Sequence, residues 1–262
     1  MRSGSALERY EVFICSALLA AHSSGEENGF RQRDIKFYMG LFSNWLETSL
    51  PGDMLEVQQT QILRYLENLV SEGFARKLSR GQLPVYRLTR TGLVEITSRM
   101  VERSHYESLE QVLFVFYFVK SYSPRILELV KKEGKQFPVA LSIELSSLLD
   151  ANKLLVQEIS RIENSLKQLE VRISDAIRSS SKSKEFFAAG MSTEETVCEI
   201  EKRFPYELNS QKPLSELFAE IPSSQRRWEL ETGALFRAQC IFGPTKEILT
   251  NSLRILKRLK EF

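Results

Sequence analysis

The chain is poor in the residues that build metal centres and disulfide frameworks. Its 262 residues include two histidines and three cysteines, and Cys15, Cys198 and Cys240 lie far apart with no CxxC spacing. This pattern indicates neither a disulfide scaffold nor a tetrahedral metal site, and it favours a reducing, cytoplasmic location. We expect all three cysteines to be buried as small apolar side chains.

Motifs that carry catalysis are missing as well. Glycine is sparse, and no phosphate-binding loop, dinucleotide fingerprint or nucleophile elbow occurs. Neither His22 nor His105 has a cysteine or glutamate at metal-ligand spacing. The sequence therefore predicts a protein that is not an enzyme and that needs no cofactor or metal.

Long apolar runs are also lacking. Val12–Ala21 and the aromatic run Val112–Val119 are the densest, and both fall short of the roughly 20 residues that cross a bilayer. Glu8 and Glu11 precede the first run, where a signal peptide would carry positive charge. We expect both runs to lie in buried helices, and we expect no membrane span.

The most informative segment present is Val57–Gly92. It begins with a glutamine-rich stretch in which apolar residues recur at helical spacing. Gly73 follows at a position typical of a helix C-terminus, and Phe74 is its apolar partner. Two short strands, 75–78 and 85–88, then flank a loop that contains Gly81. The order predicts an amphipathic helix followed by a hairpin with a long tip.

Positive charge is concentrated on this hairpin. Between Phe74 and Gly92 the chain carries five cations and no Asp or Glu: Arg76, Lys77, Arg80, Arg87 and Arg90. Such a field suits a polyanionic backbone, where each neutralised phosphate releases counterions. The alternative is a solvated edge hairpin kept basic to prevent edge-to-edge pairing.

The segment resembles the winged-helix transcription regulators of the MarR and PadR type over about the first hundred residues. The likeness rests on Leu66 and Leu69, on Glu72-Gly73-Phe74, on Tyr86-Arg87-Leu88-Thr89 and on Gly92. It implies a helix that enters the major groove of DNA and a wing that contacts phosphate or the minor groove. The implied groove-facing residues are Gln58, Gln59, Thr60, Gln61 and Arg64, and the implied wing residues are Arg76, Lys77, Arg80, Gln82 and Arg87.

One departure from this pattern keeps a second interpretation open. The helix predicted at about 31–46 is separated from Val57 by the segment 47–56, which contains Pro51-Gly52 and is longer than an ordinary helix-turn-helix connection. Winged helices that dock proteins, as in chromosome-segregation complexes, tolerate such changes. A protein-interaction or scaffold module is therefore the alternative.

The remainder of the chain reads as helical. Ser123-Pro124 predicts a break, and Val139–Arg178 predicts one long helix without glycine or proline. Apolar residues within it alternate in steps of four and three: Leu155, Ile159, Ile162, Leu166, Leu169, Ile173 and Ala176. This a/d seam predicts a homodimer contact, as in PadR-like relatives, and the alternative is packing within one chain.

These patterns predict a mainly α protein with an N-terminal winged helix, a small hairpin wing and an all-helical C-terminal region. The expected divisions are a winged-helix domain at 1–103, a helical junction and dimerisation helix at 104–178, a polar linker at 179–185 and a C-terminal helical region at 186–262. The expected function is DNA-binding transcriptional regulation by a homodimer on double-stranded DNA. A ligand-responsive regulator, with a small apolar molecule held between the aromatic helix at Val112–Val119 and the C-terminal helices, is a further alternative.

Overall fold

The computed structural model describes residues 11–25, 28–45, 57–78, 83–102, 108–204, 214–233, 236 and 238–261. Within these ranges the protein is mainly helical and contains one two-stranded antiparallel sheet. The chain forms two compact units, Met1–Leu155 and Val156–Phe262. In the described ranges, no helix is both long enough and apolar enough to span a bilayer.

The first unit packs helices around one short hairpin. Its elements are α1 (Glu11–Gly25), α2 (Gln32–Trp45), α3 (Gln59–Ser71), β1 (Ala75–Lys77), β2 (Tyr86–Leu88), α4 (Arg90–Val101), α5 (Leu109–Glu133) and α6 (Val139–Leu148). The expected helix, hairpin and helix between Val57 and Gly92 are thus present. The predicted boundary at 103/104 differs from the structure, because α5 packs on α1 and α6 packs on α4 within the same unit.

Helix α1 is the centre of the first unit. Every residue from Val12 to Ser23 is buried, and α2, α4 and α5 pack around it. Phe13 meets Phe114 of α5 with ring centroids 4.9 Å apart. The run Val12–Ala21 is therefore apolar on all sides because it is enclosed by protein on all sides.

The hairpin is joined to a third backbone segment. Lys77 of β1 pairs with Tyr86 of β2. On its other side, Tyr86 exchanges two backbone hydrogen bonds with Phe30, of 2.8 and 2.9 Å. The segment that precedes α2 is thereby fixed against the hairpin.

The turn between α3 and β1 follows the sequence prediction. Gly73 has a φ of +79°, and the Phe74 N–H donates to the Leu69 carbonyl at 2.8 Å. Thr89 then caps α4, since its hydroxyl accepts from the Gly92 N–H at 3.0 Å. Gly92 closes the segment by packing directly on the Phe74 backbone.

Helix α5 continues where the sequence predicted a break. Pro124 lies inside Leu109–Glu133 and is exposed. The carbonyl that loses its helical donor belongs to Lys120, which is also exposed, so water can satisfy it. The aromatic rings of α5 are partly covered by α2: Phe42 lies 5.3 Å from Phe114 and 5.7 Å from Phe118 between centroids.

The second unit is also helical in its described parts. It contains most of α7 (Ala151–Ala188), then α8 (Thr193–Arg203), α9 (Leu214–Ala219), α10 (Ser223–Trp228), two π-helical segments (Glu229–Gly233 and Ala238–Phe242) and α11 (Gly243–Lys260). A capping box precedes α8: Ser192 and Glu195 exchange their side-chain and backbone hydrogen bonds. Cys198 and Cys240 are exposed, so the expected burial holds only for Cys15.

Two predictions for the long helix are wrong. Val139–Arg178 is interrupted after Leu148, because the Asp150 carboxylate accepts from the Lys153 N–H at 3.0 Å and starts α7 there. The run 179–185, predicted as a linker, lies inside α7. Its serines Ser179, Ser180 and Ser183 are buried, and the hydroxyls of Ser180 and Ser183 donate to backbone carbonyls, which lets small polar residues pack in a helix.

The a/d seam of α7 faces the interior of the chain. Its residues Leu155, Ile159, Ile162 and Leu169 are buried, and Leu166 and Ile173 are half-buried. In the second unit, Leu169 and Ala176 form a cluster with Phe242, and Ile173 and Leu249 pack against it. Of the six residues predicted as a dimer interface, four are thus buried by packing within one chain, which is the arrangement of the alternative.

The close approach at Gly92 leads to a stability prediction. A Cβ there would lie 1.8 Å from the Phe74 carbonyl oxygen, so Gly92→Ala must push α4 away from the hairpin. We expect a loss of about 2 kcal/mol or more in the free energy of unfolding of the first unit. Urea unfolding followed by circular dichroism measures it.

Gly40→Ala is the matched control. Gly40 lies within α2, and a Cβ at this position meets nothing within 4 Å. The added methyl should leave stability unchanged or raise it by up to about 1 kcal/mol, because alanine is the better helix former. Equal stability of the two variants would contradict the packing described for Gly92.

Candidate nucleic-acid interface

The N-terminal half of α3 presents polar side chains to solvent. Gln58, the N-cap residue, and Gln59 and Thr60 of the first turn are exposed, and Arg64 is exposed one turn further on. Gln61 is half-buried, and its side-chain oxygen accepts from the Gln58 N–H at 3.0 Å. Of the five residues predicted to face a groove, four are exposed and Gln61 is occupied as a helix cap.

The opposite side of α3 anchors the helix. Ile62, Leu66 and Leu69 are buried in the core of the first unit. Tyr65 and Cys15 of α1 form a hydrogen bond of 3.8 Å between hydroxyl and sulfur. Burial raises the pKa of Cys15 to about 12, which keeps it as an unreactive thiol. These contacts hold the exposed face of α3 in a fixed orientation.

Acidic side chains from other elements neutralise part of the positive charge on the hairpin. The Lys77 ammonium lies 2.6 Å from the Glu67 carboxylate of α3, which also accepts from the Tyr86 hydroxyl at 2.7 Å. The hydrogen bond from Lys77, followed by that from Tyr86, lowers the pKa of Glu67. Glu67 therefore stays ionised and competes with any external anion for Lys77.

A second acidic residue forms ion pairs at the other strand. Glu133 at the end of α5 lies 3.6 Å from the Arg87 guanidinium and 2.6 Å from that of Arg90. The Arg87 side chain is 22% exposed, so it is largely enclosed at the hairpin base. Arg87 is therefore poorly placed for an external phosphate.

Arg76 differs from Lys77 and Arg87 in its surroundings. It is exposed, and the structure assigns it no ion pair within the described residues. Two residues predicted for the wing, Arg80 and Gln82, lie outside the described residues. The described and exposed part of the predicted DNA-binding surface thus consists of five residues: Gln58, Gln59, Thr60 and Arg64 at α3, and Arg76 of β1.

Glu67 and Glu133 are the residues that sequence reasoning missed. A helical projection of α3 places Glu67 outside the buried stripe, and the sequence shows that it follows Arg64 by three residues on the same helix. Its pairing with Lys77 depends on how the hairpin folds back on α3. Nothing in the local sequence indicated that Glu133, from another helix, would join Arg87.

A buried histidine lies close to the ion pairs at the base of the hairpin. His22 of α1 is 6% exposed, and its ring meets Phe30 edge-on at 6.3 Å between centroids. The pKa of His22 is lowered to about 4, chiefly by burial and then by the positive Arg87, while Glu133 opposes the shift. His22 is therefore neutral near pH 7.

Comparisons of the chain with protein-family models, curated proteins and solved structures found no match. Over the residues that the structure describes, no group of three or more His, Cys, Asp or Glu side chains is placed to hold a metal ion.

The buried neutral His22 predicts a pH dependence of stability. Its pKa is lower in the folded chain, about 4, than in the unfolded chain, about 6.5, so the unfolded state binds the proton first as pH falls. The free energy of unfolding should decrease by about 2 kcal/mol between about pH 7 and about pH 5. Urea unfolding at the two pH values measures this loss.

His22→Gln removes the titrating group while keeping a polar side chain. Its free energy of unfolding should change less over the same pH interval, because the ion-paired carboxylates titrate mainly below it. An identical pH dependence in wild type and variant would show that His22 is not the buried group responsible.

Proposed function

We propose that the first unit binds double-stranded DNA and that the protein is a DNA-binding transcriptional regulator. The observation that carries this proposal is the exposed row of amide, hydroxyl and guanidinium groups on α3, from Gln58 to Arg64, with the exposed Arg76 on the adjoining hairpin. Amide and guanidinium groups form bidentate hydrogen bonds with adenine and guanine edges, and cations bind phosphate.

The order of elements supports the same proposal. A helix, a bridging segment at Phe30, two further helices, a hairpin and a helix follow one another, as expected for the winged helix that the sequence resembles. The proposed recognition helix is α3, and the proposed wing is the hairpin. The first turn of α3 adds the positive end of its helix dipole to the surface.

The contacts would divide into two kinds. Arg76 and the hairpin set the register through phosphates, and each phosphate contact contributes about 0.9 to the slope of log affinity against log salt. Gln58, Gln59 and Arg64 read base edges, and each bidentate pair discriminates by about 1–3 kcal/mol.

The proposal retains a homodimer, because two copies place two α3 helices on the half-sites of a pseudo-palindrome. Four of the six predicted seam residues are buried and two are half-buried, so such a dimer would also need other surfaces. On α7, Val156, Val171 and Ile177 remain exposed, with 41%, 59% and 48% of their surface accessible. A mass measurement in solution tests this part of the proposal.

A second candidate function is docking of a protein partner. It is favoured by the internal pairing of Lys77 and Arg87, which leaves fewer cations for DNA, and by two large apolar side chains on α2. Phe37 is 65% exposed and Leu41 is 49% exposed, one helical turn apart. DNA binding that is absent at low salt would favour this function.

Substitutions on the two proposed surfaces should have different effects. Arg64→Ala should reduce discrimination between the selected site and random duplex by about 1–3 kcal/mol. Arg76→Ala should weaken binding to all duplexes alike and reduce the salt slope by about 1. Fluorescence anisotropy with a selected site and a random duplex, at several salt concentrations, measures both effects.

Arg125→Ala is the control for these variants. Arg125 is an exposed arginine on α5, so its removal changes the net charge by the same amount outside α3 and the hairpin. It should bind both duplexes nearly as the wild type does. If all three variants bind alike, the α3 and hairpin surface is not the DNA-binding surface.

The pairing of Lys77 predicts a variant with higher affinity. Glu67→Gln removes the competing carboxylate, while the amide oxygen still accepts from the Tyr86 hydroxyl. DNA affinity should rise about two- to fivefold, with a salt slope steeper by up to about 1. Anisotropy titrations against wild type provide the measurement.

Glu144→Gln makes the same charge change on α6, where Glu144 is exposed. It should leave affinity close to the wild-type value. A rise equal to that of Glu67→Gln would mean that net charge alone, and not release of Lys77, strengthens binding.

A further inference from the structure

Helix α11 of the second unit has apolar side chains on two of its sides. On one side Leu256 is fully buried, and Leu249 packs against the cluster that Phe242 forms with α7. On another side two isoleucines face solvent: Ile248 is 65% exposed and Ile255 is 39% exposed. A helix that only packed on its own chain would carry polar residues there. Among the described residues, nothing covers this second apolar side.

The exposed isoleucines form a row along the helix. Ile248 and Ile255 are seven residues apart within α11, so their side chains project on nearly the same side, about 10 Å apart along the axis. The exposed Asn251 lies between them and is uncharged. Ile241 precedes them at the same spacing in a π-helical segment and is 56% exposed. The apolar row is thus longer than one isolated side chain.

The same helix is strongly basic. It contains a single acidic residue, Glu247, and five cations: Lys246, Arg254, Lys257, Arg258 and Lys260. Two of the lysines pair with α7, since Lys246 lies 3.0 Å from Glu170 and Lys257 lies 2.7 Å from Glu163. These pairs hold α11 against α7 and neutralise only part of its charge.

Three cations of α11 remain available to an external partner. Arg254, Arg258 and Lys260 are exposed and form no ion pair with the described residues. Arg254 donates a hydrogen bond of 3.3 Å to the uncharged side chain of Asn251. Arg258 follows Ile255 by three residues, so it lies on the same side at the end of the row. The row therefore combines protruding apolar side chains with positive charge.

This combination decides which partner fits. A second copy that paired through α11 would bring two basic helices together, and their charges would repel. A nucleic acid would bind the cations and leave the isoleucines in water. The interface of an anionic bilayer satisfies both, because its headgroups attract Lys and Arg while its acyl region accepts apolar side chains without needing a groove of matching shape.

We propose that α11 binds the surface of an anionic lipid bilayer and lies in the plane of the membrane. Ile248 and Ile255 insert at the boundary between headgroups and acyl chains, and Arg254 and Arg258 contact lipid phosphates. The long arginine stems lie along the apolar boundary while the guanidinium groups stay in water. The helix rests on the bilayer and does not cross it. This proposal concerns the second unit and does not rest on DNA binding.

The experiment measures sedimentation of the whole chain with sucrose-loaded vesicles. One set of vesicles contains phosphatidylcholine alone, and the other contains phosphatidylcholine with about 30% phosphatidylserine. The protein should bind the anionic vesicles with half-maximal binding at roughly 1 mM lipid and the neutral vesicles at least about tenfold more weakly. Added salt should weaken the binding, because it screens the charges of α11 and of the lipid.

Ile248→Ser tests the apolar contact, and Val171→Ser is its matched control. Val171 is an exposed apolar residue of the same unit, 59% accessible, but it lies on α7. Both substitutions are at exposed helical positions, and serine has nearly the helix propensity of isoleucine and valine, so both proteins should fold. Ile248→Ser should weaken binding to anionic vesicles about fivefold, and Val171→Ser should change it by less than about twofold.

Arg258→Gln tests the charge in the same way. Arg178→Gln is its control, because Arg178 is an exposed arginine of α7 and its removal changes the net charge equally. Arg258→Gln should weaken binding to anionic vesicles about fivefold, and Arg178→Gln by less than about twofold.

Four results would each overturn the proposal. One is no binding to anionic vesicles up to roughly 10 mM lipid. Another is equal binding to neutral and anionic vesicles, which would remove the role of the cations. A third is an equal loss of binding within either matched pair, which would remove the role of α11. The last is a lower mass of Ile248→Ser in solution with unchanged vesicle binding, which would assign the row to a second copy of the chain. No DNA is present, so failure of the DNA-binding proposal leaves these results intact.

Discussion

Tyr86 is the residue on which the arrangement of the first unit depends. Its backbone bonds to Phe30 on one side and pairs with Lys77 on the other, and its hydroxyl donates to Glu67 of α3. One fully buried side chain thus connects the segment before α2, both strands of the hairpin and the third helix. Loss of the hydroxyl would leave Glu67 with Lys77 alone, and loss of the ring would open the core beneath the hairpin. The relative position of α3 and the hairpin follows from this connection.

The same arrangement determines how the positive charge is distributed. The hairpin has no acidic residue of its own, yet folding brings Glu67 against Lys77 and Glu133 against Arg87. Ion pairs that are partly screened from solvent hold Lys77 and Arg87 against the protein. The positive electrostatic field of the hairpin is therefore weaker than its sequence suggests. Arg76 and Arg64 keep their charge exposed. The surface available to a polyanion is therefore narrower than a count of cations indicates.

Local patterns predicted the elements of the first unit well, because each depends on near neighbours. The cap at Gly73, the apolar stripe of α3 and the strands around Tyr86 are of this kind. Features that depend on distant contacts were not predictable. Pro124 stays helical because its surroundings are solvated, and the buried serines of α7 resemble a linker by composition. Asp150 starts a new helix within a run that has neither glycine nor proline. The seam of α7 was correctly recognised as a packing surface, but spacing alone does not distinguish a second copy from the same chain.

Arg87 belongs both to the hairpin and to the ion-paired group at its base, and this shared position limits how the two can influence each other. The backbone of β2 is fixed by its bonds to Phe30 and β1, so a change of charge at Glu133 has little freedom to move the strand. Such a change would instead alter the electrostatic field at Arg87, which lies 3.6 Å from Glu133. Coupling between Glu133 and a polyanion on the hairpin would therefore be electrostatic rather than conformational, and it would weaken as salt shortens the screening length. A coupling that persisted at high salt would require a movement that the bonds around Tyr86 oppose.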